Sequence, residues 1–312
     1  MQNLKTTFFK SFAVSFFTIF LNQTYACDIC GCSTAGLGLG QINTLGKRYF
    51  LVENINQKLA HPSMGGSSQS YDNLNQIQLT YAWKNDSTPN IQWLIQMPTK
   101  QLVRHNVYPN HDQYRNFNLG DISLKAVYTA FDNRRFTLSQ SLKKTLLIQG
   151  GLTSPSGKYQ TRGAKKEMLP IHLQPGTGAW QTDIAGLIFL KKNNWGAFIQ
   201  SQIQFGFKNE LDYQMGLKSM NGISIFKSYE KKQRVIIPQL GFWSDYSSQH
   251  HQFKQPVSET GGQLNFCSVQ LDYLNDRNYI KAKIDIPISQ NTNYQAPKPQ
   301  YIASVSMGWF LK

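Results

Sequence analysis

From residue 47 onward, apolar side chains recur at every second position in stretch after stretch, and no extended segment carries the spacing of a helix. Ile122, Leu124, Ala126, Tyr128 and Ala130 alternate with Ser123, Lys125 and Thr129. Trp195, Ala197, Ile199, Ile203 and Phe205 alternate with Gln200, Gln202 and Gln204. Ile280, Ala282, Ile284, Ile286 and Ile288 alternate with Lys281, Lys283 and Asp285. Successive side chains of a strand point to opposite faces, so each stretch has one face suited to hydrocarbon and one suited to water. A soluble sandwich and a membrane barrel both meet that description.

The connections separate the two. Strands are predicted near 47–58, 75–84, 90–104, 119–131, 136–153, 179–191, 195–208, 222–229, 234–246, 262–273, 278–289 and 300–311. That makes about twelve, an even number as single-chain bacterial barrels require. The connections near 59–74, 105–118, 154–178, 209–221, 247–261 and 290–299 are long. Those near 85–89, 132–135, 192–194, 230–233 and 274–277 are short, with turn chemistry such as Asn85-Asp86-Ser87 and Asn275-Asp276. Strict alternation of long loops with short turns is the asymmetry of an outer-membrane barrel, and it puts both termini in the periplasm. The expected fold is all-β: a transmembrane antiparallel up-and-down barrel over 47–312, with no internal repeat and no second domain.

The N-terminus agrees with export. Lys5 and Lys10 form a basic region, Phe12 to Leu21 an apolar one, and Thr24-Tyr25-Ala26 offers small residues where a signal peptidase cuts. Residues 1–26 therefore read as a signal peptide, and 27–46 as a cysteine-containing arm or plug ahead of the barrel. No later segment holds the roughly 20 consecutive apolar residues of a membrane helix. The mean hydropathy of −0.41 excludes a polytopic helical protein but not a barrel, in which only alternate residues meet lipid. Removing the two signal lysines lowers the formal charge from +15 to +13. An exported protein rarely meets nucleic acid, so this charge is assigned to phosphate-rich outer-leaflet lipid and lipopolysaccharide or to an anion-favouring pore.

Three segments carry a family resemblance. Gly120-Asp121-Ile122 opens one strand. Gly150-Gly151-Leu152-Thr153-Ser154-Pro155-Ser156-Gly157-Lys158 runs a strand into a long loop through Pro-x-Gly, and Gln174-Pro175-Gly176-Thr177-Gly178-Ala179-Trp180 leads into the next strand. Together they resemble outer-membrane transporters grouped with the "MetA-pathway of phenol degradation" proteins, most closely over 118–208. Cys27-Asp28-Ile29-Cys30-Gly31-Cys32-Ser33 resembles a Bacteroidetes branch of such barrels. The resemblance implies a barrel and transport, with no established substrate. The last strand alternates Tyr301, Ala303, Val305, Met307, Trp309 and Leu311 with Ser304, Ser306 and Gly308, as substrates of the barrel assembly machinery commonly do. It ends on Lys312 in place of the usual Phe.

Cys27, Cys30 and Cys32 could converge on Cu(I) or Zn(II), could form a disulfide in the oxidising periplasm, or could offer Cys27 for lipidation. Cys267 is expected to be a small packing residue within a strand. All six histidines (His61, His105, His111, His172, His250, His251) fall in segments assigned to long external loops, without repeated ligand spacing. No Gly-x-Ser-x-Gly elbow appears and no histidine falls on a predicted strand, which argues against a hydrolase and against an enzyme generally. Gly176 and Gly178 lack the Lys-Ser/Thr and helix of a phosphate loop. Lys125, Lys281, Lys283 and Asp285 should face the lumen, where they either bias solute choice or close on one another as salt bridges. Arg134-Arg135, Lys191-Lys192 and Lys231-Lys232 lie by the periplasmic turns.

The expected function is a channel or transporter passing a small molecule or ion across the bacterial outer membrane, with no cofactor. The alternatives are copper or zinc binding or sensing by the cysteine cluster, and a plugged structural or adhesive barrel.

Overall fold

A computed structural model describes residues 48–60, 71–105, 113–133, 142–159, 174–231, 233–258, 260–292 and 298–311. The strands are β1 (Arg48–Ala60), β2 (Tyr71–Lys84), β3 (Ile91–His105), β4 (Gln113–Leu119), β5 (Ser123–Asp132), β6 (Lys143–Thr153), β7 (Gln181–Lys192) and β8 (Trp195–Gly206). After β9 (Tyr213–Gln214) come β10 (Lys218–Lys227), β11 (Tyr229–Lys231), β12 (Arg234–Ser247), β13 (His251–Gln252) and β14 (Gln255–Pro256). The chain ends with β15 (Gly262–Leu274), β16 (Asn278–Thr292) and β17 (Lys298–Leu311).

Every ladder is antiparallel. The sheet runs from β10 through β8, β7, β6, β5, β3, β2 and β1 to β17, then β16, β15 and β12. Pairing of β10 with β12 closes it. Because β4 and β5 share β3 as partner, and β10 and β11 share β12, the strands make twelve staves. Closure leaves no edge strand, which is what allows a sheet to stand in hydrocarbon. The remaining β9, β13 and β14 form a small separate sheet at the loop end.

Prolines explain where the staves bend. The Pro98 carbonyl accepts the Gly120 N–H at 2.7 Å, so the backbone edge of Pro98 faces the β4–β5 stave. Proline has no N–H to return, and the stave is interrupted there, between Leu119 and Ser123. The register shifts beside Pro287 and Pro299 have the same character: each partner stave meets one extra residue there.

Burial is inverted relative to a soluble protein. The inward series of β16 and β17, Lys281, Asp285, Ser304 and Ser306, is buried, while the outward series is exposed, with Val305 at 58%. Ile184, Leu240 and Ile288 stand out in the same way. A soluble sandwich would reverse these faces, so the alternation is that of a barrel in lipid. Trp83, Trp93 and Trp309 stand at the turn ends of their strands, and Tyr71 and Tyr301 at the loop ends, as aromatic girdles do.

Inside, the turn end is filled by an apolar layer. Leu51, Leu94, Val127, Leu147, Leu274 and Tyr279 pack together, joined by Leu187, Val235, Ile237 and Phe310. A second cluster includes Ile55, Met220, Trp243, Phe266 and Ile302. Small barrels are filled by their own side chains in this way.

The twelve-stave architecture agrees with the sequence reading, and the ends of several strands differ. β2 begins at Tyr71 and β10 at Lys218. Residues 113–118 are strand where a loop is expected, and β3 extends to His105, which places one histidine at a strand end. In each of these stretches both faces are largely polar, so alternation has nothing to alternate. Strand content expected at 136–141 lies outside the described residues, as do the proposed signal and residues 27–46.

Candidate functional site: the polar lumen

The layer adjoining the apolar base is built by ion pairs and amides. Lys281 on β16 reaches Glu53 on β1 at 2.5 Å, across the intervening β17, whose Ser306 hydroxyl donates to the same carboxylate oxygen at 2.9 Å. Both charged side chains are almost fully buried. Beside them Asp272 accepts from Tyr279 Oη at 2.7 Å, from Gln270 Nε2 at 2.9 Å and from Gln239 Nε2. Further along β16, Lys283 pairs with Asp285 at 2.9 Å and stands 5.3 Å over the Trp243 ring. Trp243 Nε1 donates to Ser268 and to Asp285, each at 3.1 Å, and Ser268 also donates to Asp285. The Trp243 ring stacks on Phe266 with centroids 4.3 Å apart. Lys218 on β10 lies 3.5 Å from Asp245 on β12.

Lys281, Lys283 and Lys218 thus each have an acid, and the salt-bridged alternative describes Lys281, Lys283 and Asp285. Lys125 differs. It is buried on the inward face of β5 and makes no ion pair among the described residues. Its ladder neighbour is Gly151, whose own neighbour is Asp183. A Cβ at Gly151 would collide with Asp183 Oδ1, so the glycine leaves the space that this carboxylate fills. Asp183 accepts instead from Gln149 at 3.0 Å and Gln202 at 3.3 Å.

Beside the charged wall lies a cavity of about 50 Å³. Two inward glycines, Gly222 on β10 and Gly241 on β12, make it possible. A Cβ on either would come within 3.1 Å of a wall side chain, Trp243 and Ser224 respectively. Gln200, Gln239, Gln270 and Lys283 bring polar groups to the wall. Gln200 makes no side-chain hydrogen bond among the described residues, which leaves its amide to whatever occupies the cavity. The volume suits a few water molecules or one small solute.

The loop end is capped by the three segments that carry the family resemblance, and they meet at one carboxylate. Asp121 accepts the Gly157 N–H at 2.8 Å, the Thr177 N–H at 2.8 Å and the Thr177 hydroxyl at 2.6 Å. Gly157 and Gly176 are required by contact: a Cβ on Gly176 would lie 2.5 Å from the Gly157 carbonyl. Thr177 also accepts from Gln181 at 2.9 Å, and Gln181 from Gln204 at 2.6 Å, which ties the cap to the lumen wall. Asn209 donates to the Thr177 carbonyl, and Tyr159 to Glu210, so the neighbouring loop is fastened as well.

The other candidate residues divide. Cys27, Cys30 and Cys32, with His61, His111 and His172, lie outside the described residues. His250 is completely buried, its Nδ1 against the Tyr213 hydroxyl and its backbone N–H on Thr260. His251 is exposed on β13. Cys267 is exposed on the outward face of β15, between inward Phe266 and Ser268, and so is not an interior packing residue as expected. At the periplasmic turns, Lys191 pairs with Glu230 at 2.6 Å, and this hydrogen bond holds the Glu230 carboxyl below the usual carboxylate range. The unsignalled elements of the site are Glu53, Asp272 and the two glycines, which no motif marks.

No protein-family model matches the chain, and no curated protein sequence is similar to it. Solved structures are similar. An outer membrane channel from Pseudomonas putida F1 superposes with a TM-score of 0.61 at 10% identity, over 85% of this chain and 95% of that one. The fold is that of a bacterial outer-membrane barrel. The transport unit of the autotransporter AIDA-I from Escherichia coli gives a TM-score of 0.48 at 9% identity, over 93% of this chain and all of that one. The CymD monoaromatic hydrocarbon channel gives 0.41 at 7%, over 93% and 95%. At these identities the likeness is one of fold.

Proposed function

We propose that the barrel is a channel or transporter for small uncharged hydrogen-bonding solutes, with the cavity beside Gly222 and Gly241 as a station on the path. The observation that carries this reading is the cavity's wall: amides and hydroxyls beside the rings of Phe198 and Trp243, with its one cation, Lys283, already paired to Asp285. A cavity wall whose charges are paired presents little net field to select an ion, whereas amides both donate and accept and so replace the hydration of a neutral polar solute. The apolar base serves as the constriction, since a hydrophobic layer closes a pore to water until solute or side-chain motion opens it. The resemblance to phenol-degradation-pathway barrels supports transport without naming the solute.

Swelling of proteoliposomes tests it. Vesicles carrying the full chain should swell in glycerol or urea several times faster than protein-free vesicles, and much less in potassium chloride. Gly241→Leu, which fills the cavity, should bring swelling roughly tenfold closer to background, a change equal to about 1.4 kcal/mol in barrier. Absence of swelling with every solute would favour the plugged structural barrel, and equal passage of chloride would remove the preference for neutral solutes.

A further inference from the structure

The outer wall of the barrel carries an uncharged polar island where lipid should be. Along one row of the ladder the outward residues run Ile284, Ala303, Asn56, Asn75, Gln101 and Phe117, each paired with the next. The adjacent row, on the periplasmic side, runs Ala282, Val305, Asn54, Ile77, Thr99 and Leu119. In both rows the polar residues of β1, β2 and β3 are flanked on either side by apolar ones. Val305 and Phe117, at 58% and 62% exposure, stand free beside them. Tyr71 lies beyond the island at the loop end of its strand, and Tyr301 stands in the outermost row with Lys58 and Asn73, above the two rows just named. The island therefore falls inside the apolar belt, where an amide without a partner is costly.

The amides do not satisfy one another. Asn56 donates to Asn54 at 3.0 Å, and Thr99 caps the Ile77 carbonyl. Asn73 and Gln101 make no side-chain hydrogen bond among the described residues, and Asn75 makes none either, its Oδ1 being covered by the chain's own neighbours. A second outward polar group, on β10, β12 and β15, shows the contrast. There Asn221 bonds to Ser201 and Ser219, and Gln263 to Ser244.

We infer that the β1–β3 face is where a second copy of this chain docks in the membrane, side by side and two-fold related. An amide is donor and acceptor at once, so a row of them is complementary to itself, as an isologous interface demands. The wall at β6 and β7 offers no match, because Ile148, Leu152 and Ile184 are exposed and apolar, and the outward amides of β10 and β15 are already bonded to neighbours. Anionic lipid heads fit less well: Lys58, the one cation at the island whose side chain is described, already stands 4.7 Å over the Tyr71 ring, and a phosphate would call for several.

Full-length protein bearing Asn75→Cys, oxidised in native outer membranes, should form a disulfide-linked dimer well above the wild-type background. Ile148→Cys on the outward face of β6 should not. In detergent, light scattering should give a dimer mass for the wild type. The pair Asn75→Leu and Gln101→Leu should lower the dimer fraction about fivefold or more, while folded and unfolded forms still separate on an unboiled gel. A monomer mass with no excess cross-linking at Asn75, or cross-linking to a different protein, would overturn the inference. So would a dimer indifferent to the leucine pair.

Discussion

Two walls of the same lumen are built on opposite plans. Where β1, β17, β16 and β15 lie side by side, inward positions carry Glu53, Ser306, Lys281, Asp285 and Asp272, and each of them is bonded to a neighbour. Where β8, β10 and β12 meet, the inward positions include Gly222 and Gly241, and Gln200 has no described partner. The first wall joins the beginning of the barrel to its end, the seam that must form last if the hairpins form in order. The second wall adjoins the first through the β12–β15 ladder and leaves space. The contrast teaches that one part of a barrel interior can serve closure while another is left available to solute.

The largest expected effect lies on the seam. Lys281→Met leaves the Glu53 carboxylate buried, with the Ser306 hydroxyl as its described donor. Breaking a buried pair from one side costs about 3–5 kcal/mol, because the remaining charge is uncompensated. Urea unfolding from lipid vesicles, followed by tryptophan fluorescence, should show that loss for Lys281→Met. Adding Glu53→Gln should recover most of it. A single variant within about 1 kcal/mol of wild type would mean that water reaches the pair and that the two walls are not so different.

How much of this was legible depends on which physical signal each residue leaves in the chain. The inward placement of Lys281, Lys283 and Asp285 follows from alternation with Ile280, Ala282, Ile284 and Ile286, because face is a local property of a strand. The partner of Lys281 is not local. Glu53 lies 228 residues away, and only closure of β17 onto β1 brings the two together. Gly222 and Gly241 read as ordinary glycines until β10 and β12 are paired and their shared cavity appears. Strand ends such as Tyr71–Asn73 and Lys218–Asn221 leave no alternation to read, because polar groups occupy both faces. Gly157 and Thr177 were visible as motifs, yet their common purpose is the Asp121 carboxylate of a third segment, to which both donate.

A middle-sized effect sharpens the contrast by comparing two glutamines of the open wall, one tied to the charged wall and one not. Gln239 donates to the buried Asp272, so Gln239→Leu removes a charge-assisted bond and should cost about 1–3 kcal/mol. Gln200→Leu removes an amide with no described partner and should shift stability by no more than about 0.5 kcal/mol. The same urea titration reads both. Equal losses would show that the Gln200 amide is held as firmly as its counterpart, and the cavity wall would then be structural.

The smallest effect concerns the foot of the open wall, where the ion pair lies outside the membrane. Lys191 at the end of β7 spans β8 to reach Glu230 on β11, and the Glu230 side chain is 55% exposed. Its carboxyl is held below the usual range chiefly by the Lys191 hydrogen bond. A depressed folded-state pKa contributes stability above the unfolded carboxylate value, and that contribution is lost as pH falls through the folded value. Wild type should therefore lose slightly more stability than Glu230→Gln between neutral and acid pH, with the two converging at the acid end. Exposure and salt screen the pair, so the difference should shrink in high salt. Parallel curves at all pH values would show that the pair does not clamp β7 to β11, and that the open wall relies on its ladders alone.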